Sequence, residues 1–471
     1  MDTKSTVKIS GEIVPVDPNL IFQRLVTAGV DSSSIMNYEL CTFPPALFAS
    51  RVALRTSNKA TLAQAMWSDG LDNPGPQGDI NYILDGGALL HRIPWTFGIT
   101  WNDIAHQYVT YVLRRYKRAV VVFDGYLYGP STKDSTHLRR SNSIMSTAVM
   151  FTGEMKLQSR KEEFLANKEN KQRFIKFLGD KLERAGVEVI QAAGDADLSI
   201  AKAAVASSDK CDTILVGDDT DLLVLLLYHA KDMEFNIFFK PQQKNNAKRP
   251  SKCWNIRTTR AKLGNDVCNN ILFIHSILGC DTTSFPYGIG KRVSLMRMRS
   301  PFFKQQAIAF ASDNSCQERI IEAGEQALVS LYGGEEGEAI NGLRLRRFCE
   351  KTYRKTTPVH PQVLPPTSNA TKYHSLRVYY QVQTWMSEVV DLDPLEWGWE
   401  IVGANMLPIA MDIDPAPQHI LEMIRCNCKS GCYNLRCSCR KNNIECSLAC
   451  GECRGSCANS SQVYDPSDDE D

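Results

Sequence analysis

Short apolar runs alternate with helical periodicity from residue 81 onward, and this pattern predicts an α/β fold with a parallel sheet. Continuous apolar strands are predicted at 81–85, 119–125, 187–192 and 212–219, separated by helices at 102–117, 170–186 and 195–207. Strands that are apolar throughout are buried on both faces, which is typical of a parallel sheet covered by helices. Such sheets carry their chemistry at the carboxyl ends of the strands.

The rest of the chain divides into flanking units, since 471 residues exceed one ordinary core. We predict a mostly helical N-terminal extension at 1–78, the sheet-containing core at 79–300, a helical extension at 301–354, a Pro-rich linker at 355–372, an aromatic-rich module at 373–417, a cysteine-rich domain at 418–459 and an acidic disordered tail at 460–471.

Composition, net charge and cysteine spacing limit the classes of protein to which the chain could belong. The hydrophobic content of 43% allows a sizeable core, and the net charge of +1 predicts no global attraction to nucleic acid or membrane. No apolar run reaches the roughly 18 residues of a membrane span, and no signal-like segment begins the chain. Seven cysteines are scattered over 41–349 without a disulfide spacing, which indicates reduced thiols in an intracellular protein.

Acidic residues follow the predicted strands. Asp85 ends one strand, Asp124 ends the next, and the sequence LVGDDTDLLVLLL at 215–227 places Asp219 and Asp221 beside a third. Two residues apart in an extended segment, Asp219 and Asp221 would face the same side about 6–7 Å apart. A polar turn that caps the strand is the alternative interpretation.

Two further acidic positions come from helices. Asp195 and Asp197, in AGDADLSIAKAA, have a structural alternative as a helix N-cap and a first-turn carboxylate. Asp281 follows an apolar helical stretch at 267–279, where the negative end of a helix disfavours a carboxylate. A bound cation would reverse that preference.

The strand ends would gather these carboxylates in one cleft. Two like charges ~4 Å apart repel by about 4 kcal/mol at an effective dielectric constant of about 20. Carboxylate oxygens with water suit Mg²⁺ or Mn²⁺, and two such ions can clamp a phosphodiester and activate a water. We therefore predict a two-ion magnesium site formed by Asp85, Asp195, Asp197, Asp219, Asp221 and Asp281, with Asp124 beside it.

The order of these motifs resembles the flap-endonuclease-type 5′-nuclease superfamily, which has a PIN-like core. YILDGG, VVVFDG, AAGDADLSIAKAA, LVGDDTDLL and LGCDTTSFPYGIG match its metal-binding elements in order over 81–298. The resemblance implies a helix–three-turn–helix element at 267–298 and a metal-dependent nuclease acting on DNA. Asp195 and Asp197 stand where that family has Glu, and about 80 residues precede Asp85.

The same resemblance assigns basic residues to the DNA phosphates. In STKDSTHLRRS, Lys133 and Arg140 match a Lys and an Arg that touch the scissile phosphate, and a seven-residue spacing places them on one helix face. A solvated basic helix is the alternative. In YGIGKR, Gly288 and Gly290 would free backbone N–H groups for a phosphate, with Lys291 and Arg292 adding charge.

Nine cysteines form a second motif near the C-terminus. Their number is odd, which excludes full disulfide pairing, and tetrahedral zinc takes four ligands. Three zinc ions need twelve contacts, and nine thiolates supply twelve if three of them bridge. The predicted zinc ligands are Cys426, Cys428, Cys432, Cys437, Cys439, Cys446, Cys450, Cys453 and Cys457.

This spacing resembles the tesmin-type cysteine-rich (CXC) domain, whose three-zinc modules bind DNA. Arg436 stands where that family has an aromatic residue before the second Cys-x-Cys. Arg436, Arg440 and Lys441 are the predicted DNA contacts, and phosphate attraction needs no base reading.

Together these motifs predict a nuclear, Mg²⁺-dependent nuclease that hydrolyses DNA at branched or single-stranded junctions and is tethered by a zinc module. Two alternatives stay open. One is a DNA-binding scaffold that keeps the nuclease fold without cleaving, and the other is a PIN-type nuclease directed at RNA.

Overall fold

A computed structural model gives the structure of the chain. It describes residues 5–9, 12–56, 59–66, 75–125, 129–141, 147–241, 252–290, 300–354, 359–387, 390–422, 425–429, 431–447 and 450–460. Among these residues no helix is both long and apolar enough to cross a membrane.

The central element is a six-stranded sheet. Its strands are β5 (Ile80–Asp85), β6 (Ala119–Phe123), β7 (Glu188–Gln191), β8 (Asp212–Val216), β9 (Ile237–Lys240) and β10 (Trp254–Asn255), in the order β10-β9-β8-β5-β6-β7. All neighbours are parallel except β10, which pairs antiparallel with β9 at one edge. Strand β5 lies between β6 and β8, so the carboxyl ends of these three strands are neighbours. Asp85, Asp124 and Asp219 lie at or just after those ends.

Three two-stranded antiparallel sheets lie outside this sheet among the described residues. Their strands are β1 (Ser5–Ile9) with β2 (Glu12–Val16), β3 (Phe48–Ser50) with β4 (Ala53–Leu54), and β11 (Trp399–Val402) with β12 (Asn405–Pro408).

Helices follow the strands as the sequence predicts. Up to the helix that follows Asp219 they are α1 (Pro18–Thr27), α2 (Ser32–Ile35), α3 (Lys59–Met66), α4 (Gly86–Arg92), α5 (Trp101–Arg115), α6 (Asp134–Ser141), α7 (Lys161–Ala166), α8 (Lys168–Arg184), α9 (Asp197–Ser207) and α10 (Thr220–His229). After it come α11 (Ile256–Leu263), α12 (Asn265–Asn269), α13 (Ile271–Ile277), α14 (Pro301–Ala311), α15 (Gln317–Leu331), α16 (Ile340–Arg354), α17 (Ser368–Met386), α18 (Gln418–Leu421) and α19 (Ser438–Lys441).

Apolar side chains fill both faces of the sheet. Adjacent strand residues point to opposite sides, so Ile83 packs with α9, α10 and α13, whereas Leu84 packs with α4, α5 and α8. All of these side chains are buried. The predicted α/β class with helices on both faces of a mostly parallel sheet is confirmed.

The region predicted as a linker and a separate module joins the main core instead. Helix α17 begins at Ser368, inside the predicted linker, and Leu376, Tyr379 and Trp385 belong to the same apolar cluster as the sheet. Polar residues are buried around this helix, among them Arg377, which donates to the carbonyls of Gly398 and Ile409. The sequence therefore shows no apolar stripe that would mark the helix as part of the core.

The N-terminal extension contains two hairpins as well as helices, and it packs against the core. Its residues Arg55 and Ala46 accept hydrogen bonds at 2.8 Å and 2.9 Å from the backbone of Phe285 and Tyr287, in the loop after Asp281. The prediction of a mostly helical segment did not include these strands, whose short runs lack clear alternation.

The turn after Asp124 is too tight for a side chain, which gives a first prediction. A Cβ on Gly125 would lie 1.9 Å from the carbonyl oxygen of Ala192, so Gly125→Ala forces the two backbones apart. We expect a loss of about 3 kcal/mol or more in unfolding free energy, measured by chemical denaturation. Gly342→Ala is the control, because it lies exposed in α16 with open space around it and should stabilise by up to about 1 kcal/mol. Equal effects of the two substitutions would contradict this account.

Candidate metal centre

The ends of neighbouring parallel strands bring the first two carboxylates together. Asp85 is the last residue of β5 and caps α4, where its Oδ1 accepts from the Ala88 N–H at 3.1 Å. Asp124 directly follows β6. A Cβ added to Gly87 would lie 3.2 Å from Asp85 Oδ1 and 3.7 Å from Asp124 Oδ2, so both carboxylates border the same glycine. Glycine at this position leaves the space between them open.

The segment after β8 corrects one sequence prediction. Asp219 and Asp221 do not lie in an extended segment, because helix α10 begins at Thr220. Asp219 is its N-cap and accepts from the Asp221 N–H at 3.1 Å. The run LLVLLL is buried on every side, and a short apolar run of this kind is compatible with either a strand or a helix.

Three carboxylates meet where α10 begins and α13 ends. Asp219, Asp221 and Asp281 each offer one oxygen, and these oxygens lie within 4.8 Å of one another. In the part of the chain that the structure describes, no other group of three carboxylates meets this distance. Asp221 is buried and the other two are partly exposed, so the group is open on one side. Oxygen ligands at this spacing fit a Mg²⁺ or Mn²⁺ ion.

Lys133 brings a cation into the cluster from the turn just before α6, so it lies outside the helix on which the sequence places it with Arg140. The Lys133 ammonium lies 2.5 Å from Asp195 Oδ1 and 3.3 Å from Asp197 Oδ2. Burial alone lowers the pKa of Lys133, but the charges of Asp195 and Asp197 outweigh it and hold the pKa well above its usual range. Asp195 is not an N-cap, because Ala196 occupies that position without a side-chain bond. The structural alternative for Asp195 is therefore wrong.

The pKa values of the carboxyls show how much charge is concentrated here. Burial, followed by the charge of Asp195, raises the pKa of Asp197 well above its ordinary value, and Asp219 and Asp221 add to the shift. Burial also raises the pKa of Asp85 to about 6, with further contributions from Asp124 and Asp219. A bound divalent ion would displace these protons.

The shift at Asp85 predicts a pH dependence of stability. An unfolded Asp has a pKa near about 4, whereas the folded value is about 6. The folded state therefore holds the proton more tightly, and this contribution to stability is present below about pH 4 and is lost as the pH rises through about 6. For the ion-free cluster we expect a loss on the order of 3 kcal/mol that Asp85→Asn does not show.

Denaturant unfolding from about pH 4 to about pH 7, without added Mg²⁺ or Mn²⁺, measures this difference, because the range spans the unfolded and folded pKa values of Asp85. Asp209→Asn is the control, because Asp209 is exposed. If wild type and Asp85→Asn lose stability in parallel over this range, the assignment to Asp85 is wrong.

Two residues of the site were missed from the sequence. His275 Nε2 lies 2.7 Å from Asp221 Oδ1, and both side chains are buried. Lys171 of α8 lies 3.3 Å from Asp124 Oδ2. The only signal for His275 is a histidine within the mostly apolar ILFIHSI, six residues before Asp281. Nothing in the pattern distinguishes Lys171 from its neighbours.

The remaining predicted phosphate contacts are only partly described. Gly288 and Gly290 lie in the loop after Asp281, and Gly288 has a φ of 78° that favours glycine. A Cβ at either position would meet nothing within 4 Å. Lys291 and Arg292 lie outside the described residues, as does the side chain of Arg140, although the Arg140 backbone belongs to α6.

All nine C-terminal cysteines form one cluster. Cys426 Sγ lies 3.7 Å from Cys432, 3.8 Å from Cys446 and 3.5 Å from Cys453. These separations exclude disulfides, whereas thiolates about 2.3 Å from a tetrahedral zinc are about 3.8 Å apart. Three overlapping groups of four could hold an ion: Cys426, Cys428, Cys432, Cys437; Cys426, Cys437, Cys439, Cys446; and Cys426, Cys432, Cys446, Cys453.

Shared membership supports bridging thiolates. Cys426 belongs to all three groups, and Cys432, Cys437 and Cys446 to two each. Cys450 Sγ lies 3.5 Å from Cys439, and Cys457 packs against the cluster. The donor set therefore fits zinc.

The basic residues of this module divide into two roles. Arg440 donates to the carbonyls of Cys432 at 2.8 Å and Ala458 at 3.0 Å, so its guanidinium holds the module together. Arg436 and Lys441 are exposed, beside an exposed Tyr433. The two exposed cations remain available to a phosphate, whereas Arg440 is largely committed to the backbone.

Comparison with known proteins gives matches to solved structures only. No protein-family model and no curated protein matches the chain. Similar structures include the catalytic core of Rad2 in complex with DNA substrate (TM-score 0.30, 18% identity, 47% of this chain and 60% of that one). Others are the bacteriophage T5 D15 protein crystallised with metal ions (0.33, 15%, 65% and 98%) and human GEN1 in complex with Holliday junction DNA (0.31, 13%, 72% and 85%).

The chain spans less than two thirds of the length of that Rad2 structure.

Proposed function

We propose that the chain is a Mg²⁺-dependent, structure-specific endonuclease of the 5′-nuclease type that hydrolyses phosphodiester bonds in DNA. The observation that supports this proposal is the meeting of Asp219, Asp221 and Asp281 within 4.8 Å. Asp85 and Asp124 lie at the ends of adjacent strands next to them, and Asp195 and Asp197 contribute charge. Such density of carboxylates is costly unless cations bind it.

In this proposal the carboxylates hold two ions, which when bound polarise the phosphate and lower the pKa of a water. Lys133, just before α6, contacts Asp195 and Asp197, and Lys171, on α8, contacts Asp124. With ions bound, the carboxylates would no longer need the lysine ammonium groups as counter-charges. The lysines would then be free to contact phosphate oxygens of the substrate.

We further propose that the cysteine cluster holds three zinc ions and tethers the enzyme to DNA. Arg436 and Lys441 provide exposed positive charge on that module. Such contacts are electrostatic and independent of sequence. We propose a nuclear location as part of the same function, because DNA is the proposed substrate.

A second candidate is a DNA-binding scaffold that retains the fold without cleaving. The contact of Lys133 with both Asp195 and Asp197 favours it, because a lysine can supply the counter-charge that metal ions would otherwise provide. In that case the acidic cluster would be a structural ion-pair network.

The test uses the purified full chain with end-labelled flap, hairpin and single-stranded DNA, and with the same substrates as RNA. The nuclease proposal requires DNA cleavage with added Mg²⁺ and none without it. Binding without cleavage, unchanged in Lys133→Ala, would support the scaffold. Preferential cleavage of RNA would replace DNA as the substrate.

A further inference from the structure

A histidine inside the core is attached to the acidic cluster. His275 lies on α13, is 0% exposed, and its Nε2 is 2.7 Å from Asp221 Oδ1. Because an ionised carboxylate only accepts hydrogen bonds, His275 Nε2 is the donor in this pair. Asp221 is itself 2% exposed, so this contact is shielded from water.

The histidine is in turn held by the C-terminal helix α17. The Trp385 ring stacks on the His275 ring, with centroids 5.6 Å apart and planes 11° from parallel. A second contact from the same helix lies nearby, where Gln381 accepts from the Thr282 hydroxyl, next to Asp281. Helix α17 thus touches the site beside two of the three carboxylates that converge.

These contacts restrict how Asp221 can move. A hydrogen bond to Oδ1 fixes the rotation of the carboxylate about its Cβ–Cγ bond, and the stacked tryptophan fixes the ring that donates it. Groups that hydrogen-bond to metal ligands orient them, and their removal costs metal affinity even though they do not touch the ion.

We propose that His275, held in place by Trp385, is a positioning residue of the metal centre that orients the Asp221 carboxylate for the ion. This inference rests on the proposed metal centre. It gives α17, which the sequence assigns to a separate module, a direct part in the site. Its physical content is the Nε2–H donor and the rigidity of the ring, and neither requires His275 to contact substrate.

The test compares variants of the zinc-loaded full chain by Mn²⁺ titration, with free Mn²⁺ detected by electron paramagnetic resonance. His275→Leu removes the donor and should raise the Mn²⁺ dissociation constant about 10- to 100-fold. His275→Gln places an amide N–H near the position of Nε2 and should stay within about threefold of wild type, since the donor is retained. Excess Mn²⁺ should restore the cleavage rate of His275→Leu.

His374→Leu is the matched control, because His374 is equally buried but its Nε2 donates to the Ile277 carbonyl, 3.2 Å away, and not to a carboxylate of the site. Its Mn²⁺ affinity should equal that of wild type. Circular dichroism checks that each variant folds. If His275→Leu does not fold, Trp385→Leu tests whether the held His275 ring matters for Mn²⁺ binding while the histidine is still present. Trp385→Phe retains a ring and should bind Mn²⁺ more tightly than Trp385→Leu.

The outcomes separate this inference from the proposed function. Absence of Mn²⁺ binding by wild type would overturn the metal centre and both proposals. Normal wild-type binding with unchanged affinity in His275→Leu, or with equal losses in His275→Leu and His275→Gln, would overturn only the role of His275. Equal Mn²⁺ affinity in Trp385→Leu and Trp385→Phe would show that the Trp385 ring does not help to position His275.

Discussion

Single-turnover cleavage of DNA by the double variant Asp219→Asn, Asp221→Asn is expected to fall at least about 1,000-fold, which corresponds to about 4 kcal/mol of lost transition-state stabilisation. Both residues belong to the group of three carboxylates whose oxygens lie within 4.8 Å. Asparagine keeps the size of each side chain but removes a negative charge, so ion binding is lost before the fold is. The measurement uses saturating enzyme and Mg²⁺ with an end-labelled flap substrate.

Asp232→Asn is the matched control for charge, because Asp232 is exposed and lies shortly after α10. Its cleavage rate should equal that of wild type. DNA affinity of the double variant, measured without added Mg²⁺, should stay at the wild-type value or rise, since two negative charges are removed. Undiminished cleavage by the double variant would disprove the site.

Loss of zinc should unfold the C-terminal module. The buried cluster at 425–460 consists of cysteine side chains alone among its described residues, so the module has little apolar core to sustain it. Structural zinc contributes about 10–16 kcal/mol of apparent binding free energy, which serves as folding free energy in small modules. Cys426→Ser should therefore release zinc and remove amide protection across the module, because Cys426 belongs to all three candidate groups.

Zinc content by plasma mass spectrometry and hydrogen exchange of the full chain measure this effect. Cys316→Ser and Cys349→Ser are the controls, since both cysteines are exposed and distant in sequence from the cluster. They should keep the zinc content of wild type, and protection of the sheet should not change in any variant. A Cys426→Ser protein with full zinc and full protection would contradict the bridging arrangement.

Features that depend on a few neighbouring residues could be predicted from the sequence. The strands ending at Asp85 and before Asp124 were predictable because three to five consecutive apolar residues mark each strand, 82–84 in the first and Ala119–Phe123 in the second. The carboxyl ends of parallel strands meet at one edge, so the clustering of their acidic residues could also be predicted. The cysteine cluster was predictable from its density alone.

Sequence reasoning failed where two local structures fit the same pattern. The run after Asp219 suits either a strand or a helix, and in the structure it forms helix α10, buried on every side. Helix α17 was assigned to a separate module because buried polar residues such as Arg377 conceal its apolar contacts. Arg377 Nη1 donates to two backbone carbonyls, of Gly398 and Ile409, that no sequence pattern identifies.

By itself the sequence determined the class of fold, the identity of the acidic and thiol groups and the strands that present them, because these depend on period and spacing along a short stretch of chain. The tertiary structure alone decided which groups meet. Asp221 and His275 are 54 residues apart in the chain, and Trp385 reaches the same histidine from a helix beyond the predicted linker. Contacts at such separations depend on how helices pack across the sheet, and that packing is a property of the whole core.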